Sequence, residues 1–368
     1  MTASMRCCNI VLDSCCDLPR AIIDPLDIEL LQFPFIMDDG EHFDDLEKSM
    51  DAHSFYERLR KGEQAHTAQV PYGQIVDVFE RMALSGRPTV FLCFSSGLSG
   101  TFETIKQVWG ETMAKYPESE IYVVDTGLAS IAEGLLVYEA VHQADRGLTA
   151  AELAAWAEEA KFFVNAYFTL PDLETLRRGG RVPEVAAFAG AKLDIKPILC
   201  FELSGQLSFH SASRGRKKAI KQIIQLYFER RRDDSRTLFF GSGDAPKELA
   251  AMEEQVMRLE TGAAPIPFSM NVGPVIGTHT GPDLLALAFW GRDRRLDVSL
   301  TDRIANLISA RSDPDKAARR AREKKDRVGH LEGTGGHLEG STGHTEATVG
   351  HRPVSDADEN KMTQEERW

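Results

Sequence analysis

The chain has 368 residues, enough for two ordinary domains, with 42% hydrophobic side chains, 27% charged ones and a formal net charge of −13. That acidity argues against nucleic acid as a main partner, because phosphate binding needs a basic surface. No apolar run approaches the roughly 20 residues that span a bilayer, and the opening MTASMRCCNIVLDSCC lacks a charged region followed by a true apolar one. A cytoplasmic protein without integral membrane association is therefore expected. Cys7, Cys8, Cys15, Cys16, Cys93 and Cys200 fit a reducing compartment. Their adjacent pairs lack CxxC spacing and read as structural thiols, so no metal and no cofactor are expected.

Along the chain, CNIVLDS reads as a first strand and residues 25–35 as a second apolar stretch. SFYERLRKG is a short helix, and YGQIVDVFERMAL is an amphipathic one with Ile75, Val76, Phe79 and Met82 on one face. The strand PTVFLCF, the helix TFETIKQVWGETMAKY, the strand EIYVVDT and the helix SIAEGLLVYEAVHQADRG follow. Short apolar strands separated by helices indicate a buried parallel sheet over residues 5–160. Residues 161–312 read as a second α/β or α+β domain. Its strand candidates are FFVNAYFTL, KPILCFEL, QLSFHSAS, RTLFFGSGD and LLALAFWG, with a hairpin turn at Ser204-Gly205. Two packed domains create a cleft, the common place for a ligand. Residues 313–368 form a charged segment followed by seven-residue repeats that put His330, His337, His344 and His351 in register. Glycine and polar residues fill most repeat positions, so this tail is expected to be a disordered, solvated repeat.

Several stretches carry chemistry. FSSGLSGTFET (94–104) runs from a strand end through hydroxyls and glycines into a helix, the geometry of an anion cradle. It has neither the lysine of a Walker loop nor the GxSxG spacing of an esterase elbow. HTAQVPYGQ places Thr67 before a proline turn, and LETLRRGGRVP sets Arg178 and Arg181 around a glycine pair. SASRGRKKAIKQ gathers five basic residues in an acidic protein, and GPVIGTHTGPDLLALAFWG holds His279 in a Gly/Pro-rich turn between apolar runs.

In this order the stretches resemble the DegV family over residues 8 to about 292. DSCCDLP stands at its DSTADLP-like opening, HTAQVP at its TSQPS-like segment and FSSGLSGTFET at its SSGLSGTYQ-like loop. VVDTGLAS, LETLRRGGRVPEVAAFAGAKLDIKPIL, SRGRKKAI and GPVIGTHTGPDLLALAF follow the same pattern. The resemblance implies a two-domain α/β carrier that is not itself an enzyme and holds one long-chain fatty acid between its domains. It also implies a separate ATP-dependent fatty acid kinase, which converts the presented carboxylate to acyl-phosphate for phospholipid synthesis. On this basis Thr67 and Ser96 hold the carboxylate, with Ser95 and His279 close by, and Arg181 and Arg214 support the head group or the kinase contact. Ala68, Cys15 and Cys16 depart from the family pattern. The alternative from the residues alone is a serine hydrolase, with Ser96 or Ser99 as nucleophile, His279 as base and Asp13 or Asp125 orienting it.

Overall fold

The computed structural model describes residues 6–26, 28–182 and 194–297. Its first half contains β1 (Asn9–Asp13), α1 (Arg20–Ile23), β2 (Glu29–Leu31), β3 (Pro34–Met37), β4 (Gly40–Phe43), α2 (Ala52–Arg60) and β5 (His66–Thr67). These lead into α3 (Tyr72–Leu84), β6 (Thr89–Cys93), α4 (Thr101–Lys115), β7 (Ile121–Asp125), α5 (Ser130–Asp145) and α6 (Ala150–Ala160). The second half runs β8 (Val164–Thr169), α7 (Glu174–Arg178), β9 (Ile195–Phe201), β10 (Leu207–Arg214) and α8 (Arg216–Arg230). It closes with β11 (Thr237–Ser242), α9 (Pro246–Leu259), β12 (Ile266–Asn271), α10 (Pro274–Thr280) and β13 (Leu285–Trp290).

The N-terminal domain is built on a parallel sheet of order β2-β1-β6-β7. Its inner strand β6, TVFLC, is buried at every position, as expected of a parallel strand covered on both faces. A small antiparallel sheet, β4-β3-β5, pairs Phe35 with Thr67 and so fixes the start of the HTAQVP stretch. The helix expected over YGQIVDVFERMAL is α3, which buries Ile75, Val78 and Phe79 while Val76 and Met82 pack half-buried on the same core. The second domain is a six-stranded mixed sheet, β10-β9-β8-β13-β11-β12, in which only the β11–β12 pairing is parallel.

Helix α5 connects the two layers. It buries Ile131, Leu135, Leu136, Val137 and Val141, residues on more than one face, the mark of a helix with packing partners on several sides. It packs on β8, β11 and β13 as well as on the turn that follows β1. One apolar core accordingly runs from Leu12, Leu92 and Val124 through Leu135 and Leu136 to Ala166, Phe239 and Ala288.

Two elements differ from expectation. The turn assigned to GPVIGTHTG is the helix α10, begun by Pro274 in its first turn and ended by Gly281 at φ 72°, the usual asymmetry of helix ends. His279 therefore projects from a helix rather than a loop. The strand β12, IPFSMN, has a mixed burial pattern along an edge and gave no continuous apolar signal. The AAFAGA stretch and the repeat tail lie outside the described residues.

Candidate ligand-binding site

Between the parallel sheet and the mixed sheet lies a cavity of about 180 Å³. Its body is apolar: Phe33, Phe94, Ile131 and Ala132 face it from the first domain, and Ala166, Phe168, Leu176, Phe201, Leu207, Leu284 and Ala286 from the second. Thr67, Gln69, Ser99, Arg181 and His279 supply a polar side to it. There the Thr67 hydroxyl and Nε2 of His279 form a 2.8 Å hydrogen bond. Arg181 adjoins this pair, donating through Nε to the Leu98 carbonyl at 3.2 Å and through a guanidinium NH to the Gly179 carbonyl at 2.5 Å. The Gln69 side chain presses on Gly100, next to Ser99, whose oxygen accepts from the Thr101 amide at 3.2 Å. Ala68, Gln69 and Gly100 are exposed, so the polar side opens to solvent.

The histidine is held neutral. Burial, reinforced by the positive charge of Arg181, pushes its pKa down to about 4. Its Nδ1 is buried and has no hydrogen-bond partner among the described residues. This side of the cavity thus offers a hydroxyl, a neutral imidazole and a fixed guanidinium to an incoming polar group.

Of the residues singled out in the sequence, Thr67, His279 and Arg181 are brought together here. Ser95 and Ser96 are not. Ser95 is fully buried and donates to the Gly205 carbonyl at 2.8 Å. Ser96 is exposed, with its hydroxyl and its amide both bonded to the Asp125 carboxylate. The serines that line the cavity are Ser99 and Ser130, joined by Gln69. Arg214 ends β10 on an exposed position opposite Ile195, away from the cavity lining. Ala68 lines the cavity, whereas Cys15 and Cys16 are buried in the cores outside it. For the hydrolase arrangement, the histidine's hydrogen bond goes to Thr67 rather than to Ser96 or Ser99.

A second polar group was not foreseen. Asp13, Asp17, Asp44 and Glu133 are all buried. Burial pushes Asp13 and Asp44 up to about 7 and raises Asp17 and Glu133 well above the carboxylate range. Asp13 accepts from the amides of Cys15 and Phe94 at 3.0 and 2.6 Å, tying the end of β1 to the end of β6. For metals, His53, Glu57 and Asp244 bring ligand atoms within 4.8 Å of one another. Arg60 already bonds to both Glu57 and Asp244, so a guanidinium meets the charge of that group.

The sequence model described as "Uncharacterised protein, DegV family" matches residues 8–292. The chain belongs to the DegV family. A DegV domain-containing protein of Clostridium perfringens is 34% identical over 284 residues, covering 77% of this chain and 97% of that protein. Among solved structures, a DegV lipid binding protein from Thermotoga maritima matches at TM-score 0.66 and 25% identity, over 78% of this chain and 99% of that one. DegV from Bacillus subtilis, a fatty acid binding protein, matches at TM-score 0.66 and 26% identity, over 76% and 97%. The DegV match takes in both sheets and every polar residue on that side of the cavity. No helix among the described residues is long and apolar enough to cross a membrane.

Proposed function

We propose that this DegV protein is a carrier that binds one long-chain fatty acid, with its acyl chain in the apolar cavity and its carboxylate at Thr67, His279, Ser99 and Arg181. The observation that carries the reading is the form of the cavity, apolar over most of its lining, with the bonded Thr67–His279 pair beside the exposed Ala68 and Gln69. Each buried methylene contributes about 0.8 kcal/mol, so a chain of ten or more gains several kcal/mol after the costs of association. A carboxylate cannot be buried unpaired. A hydroxyl, a neutral imidazole and a nearby guanidinium supply charge-assisted hydrogen bonds while leaving one oxygen toward solvent. The lipid-binding relative from Thermotoga maritima and the fatty-acid-binding one from Bacillus subtilis support this assignment.

Protein isolated from its own cells, denatured and extracted, should release a fatty acid in about equimolar amount by mass spectrometry. Thr67→Val should keep the fold and weaken fatty-acid binding by roughly 1–3 kcal/mol, the scale of a hydrogen bond to a charged group. Unchanged affinity would place the carboxylate elsewhere.

The same reading includes presentation of the exposed carboxylate oxygen to an ATP-dependent fatty acid kinase, for acyl-phosphate formation that feeds phospholipid synthesis. The basic start of α8 supports a docking face. Arg216 is paired with Glu248 at 2.9 Å, but Lys217 and Lys218 are exposed at a helix start, where the macrodipole disfavours cations. Lys217→Glu with Lys218→Glu should leave fatty-acid binding intact and slow acyl-phosphate formation, increasingly so at low salt. Equal rates for variant and wild type across ionic strength would remove α8 from the kinase contact.

A further inference from the structure

We propose that the turn joining β9 to β10 is a latch, and that the hairpin it closes is the movable wall through which the cavity exchanges its ligand. The ligand half of this statement rests on the fatty-acid reading above. Phe201 and Leu207 flank the turn, pair with each other across the hairpin, and both line the cavity. Moving the turn therefore carries Leu207 away from Phe201 and opens the cavity wall between them.

The two sides of the turn are held very differently. Where it leaves β9, the Arg294 guanidinium donates to the carbonyls of Phe201 and Glu202 at 3.1 and 3.4 Å. Strand β9 is laddered to β8 at Ile198 and Leu199, and Phe201 projects beyond that pairing. On β10 a register shift between Phe209 and Ser211 interrupts the ladder to β9. Residues 203–209 consequently lie between a held end of β9 and an interrupted β10 ladder, which is the form of a hinge.

Beyond Glu202 the tip is fixed by backbone contact and by the hydrogen bond from Ser95 Oγ to the Gly205 carbonyl at 2.8 Å. A Cβ on Gly97 would lie 2.6 Å from the Gly205 carbonyl carbon, and one on Gly205 would lie 3.1 Å from the Gly127 Cα. Three glycines from three segments thus let main chain pack directly on main chain. Gly97 and Gly127 follow β6 and β7, so the tip sits in the crevice at the carboxyl edge of the parallel sheet, where open α/β sheets receive ligands. Its own side chains add little, since Leu203 is 52% exposed. A contact made of one neutral hydrogen bond and close-packed glycine is strong enough to close a wall and weak enough to release it. It also accounts for Ser95, a hydroxyl in the loop expected to hold the carboxylate that is instead spent on the hairpin.

Removing the Ser95 hydroxyl leaves the glycine packing intact and loosens only the latch. Ser95→Ala should release cis-parinaric acid about tenfold faster than wild type. Equal release rates in the two proteins would overturn the latch. A second arm needs no ligand: in lipid-free Ser95→Ala, amide hydrogen exchange of residues 202–206 should accelerate about tenfold while β8 amides are unchanged. Unchanged exchange in the turn would overturn the proposal even if the protein binds fatty acid. Loss of parinaric acid binding by the wild type would count against the fatty-acid reading, and the exchange arm would still decide the latch.

Discussion

Gly179 shows how closely the polar side of the cavity is built. A Cβ there would lie 2.2 Å from His279 Nδ1 and 3.1 Å from Cε1, so the imidazole occupies the space a side chain would need. Gly179→Ala should push the ring off Thr67, break the 2.8 Å bond and weaken fatty-acid binding by roughly 1–3 kcal/mol. Calorimetric titration of a long-chain fatty acid checks this, and affinity equal to wild type would show that the ring relaxes without cost. The glycine pair of LETLRRGGRVP was visible in the sequence, as were Thr67, Arg181 and His279. The choice among Ser95, Ser96 and Ser99 was not. Ser96 is turned outward by Asp125, 29 residues away, and Ser95 is taken by Gly205, 110 residues away. Local spacing contains neither partner.

Elements with strong periodicity were legible, and those shaped by a distant surface were not. YGQIVDVFERMAL gave α3 because Ile75 and Phe79 recur at helical spacing. GPVIGTHTG did not read as a helix because Gly277 sits in its middle, where helix propensity is low. A Cβ at that position would meet the Tyr56 hydroxyl at 2.6 Å and Phe55 Cε1 at 2.8 Å, so glycine is what lets α10 press on α2. Helix α5 raises the opposite problem, since it carries a buried carboxyl beside other acids, Asp13 and Asp17, with no cation among the described residues to meet it. Glu133 is fully buried, and neither of its oxygens has a partner among the described residues. Such a group costs on the order of 1–3 kcal/mol relative to an apolar side chain of similar shape. Glu133→Met should accordingly raise the melting temperature. A lower one would mean that the carboxyl makes a stabilising contact that methionine cannot replace.

At the scale of the molecule, the alternation of strand and helix was enough to indicate a parallel sheet followed by a second α/β domain. The joining of both sheets through α5, and the buried acids beside that join, depend on which surfaces meet in space. Those acids bear on how stability changes between about pH 5 and pH 7. Asp13 and Asp44 rise from the ordinary 3.8 to about 7, and Asp17 and Glu133 are raised as well, burial being the first cause in each case. A carboxyl whose pKa is raised by folding keeps its proton in the folded state after the unfolded chain has lost it. Its contribution to stability is complete below about pH 4 and is lost as the pH climbs to about 7. His279 acts in the opposite sense: its folded value of about 4 lies below the ordinary 6.5, so its contribution is lost as pH falls through that window. Four carboxyls oppose one imidazole, so the melting temperature should decline between about pH 5 and pH 7. Asp44→Asn keeps the carbonyl that accepts from the Leu46 amide at 3.1 Å and removes one titrating group, so it should flatten the decline. Thermal scans of both proteins across that range test the point. A wild-type melting temperature that rises from pH 5 to pH 7 would mean that these carboxyls are ionised and paired in the folded protein.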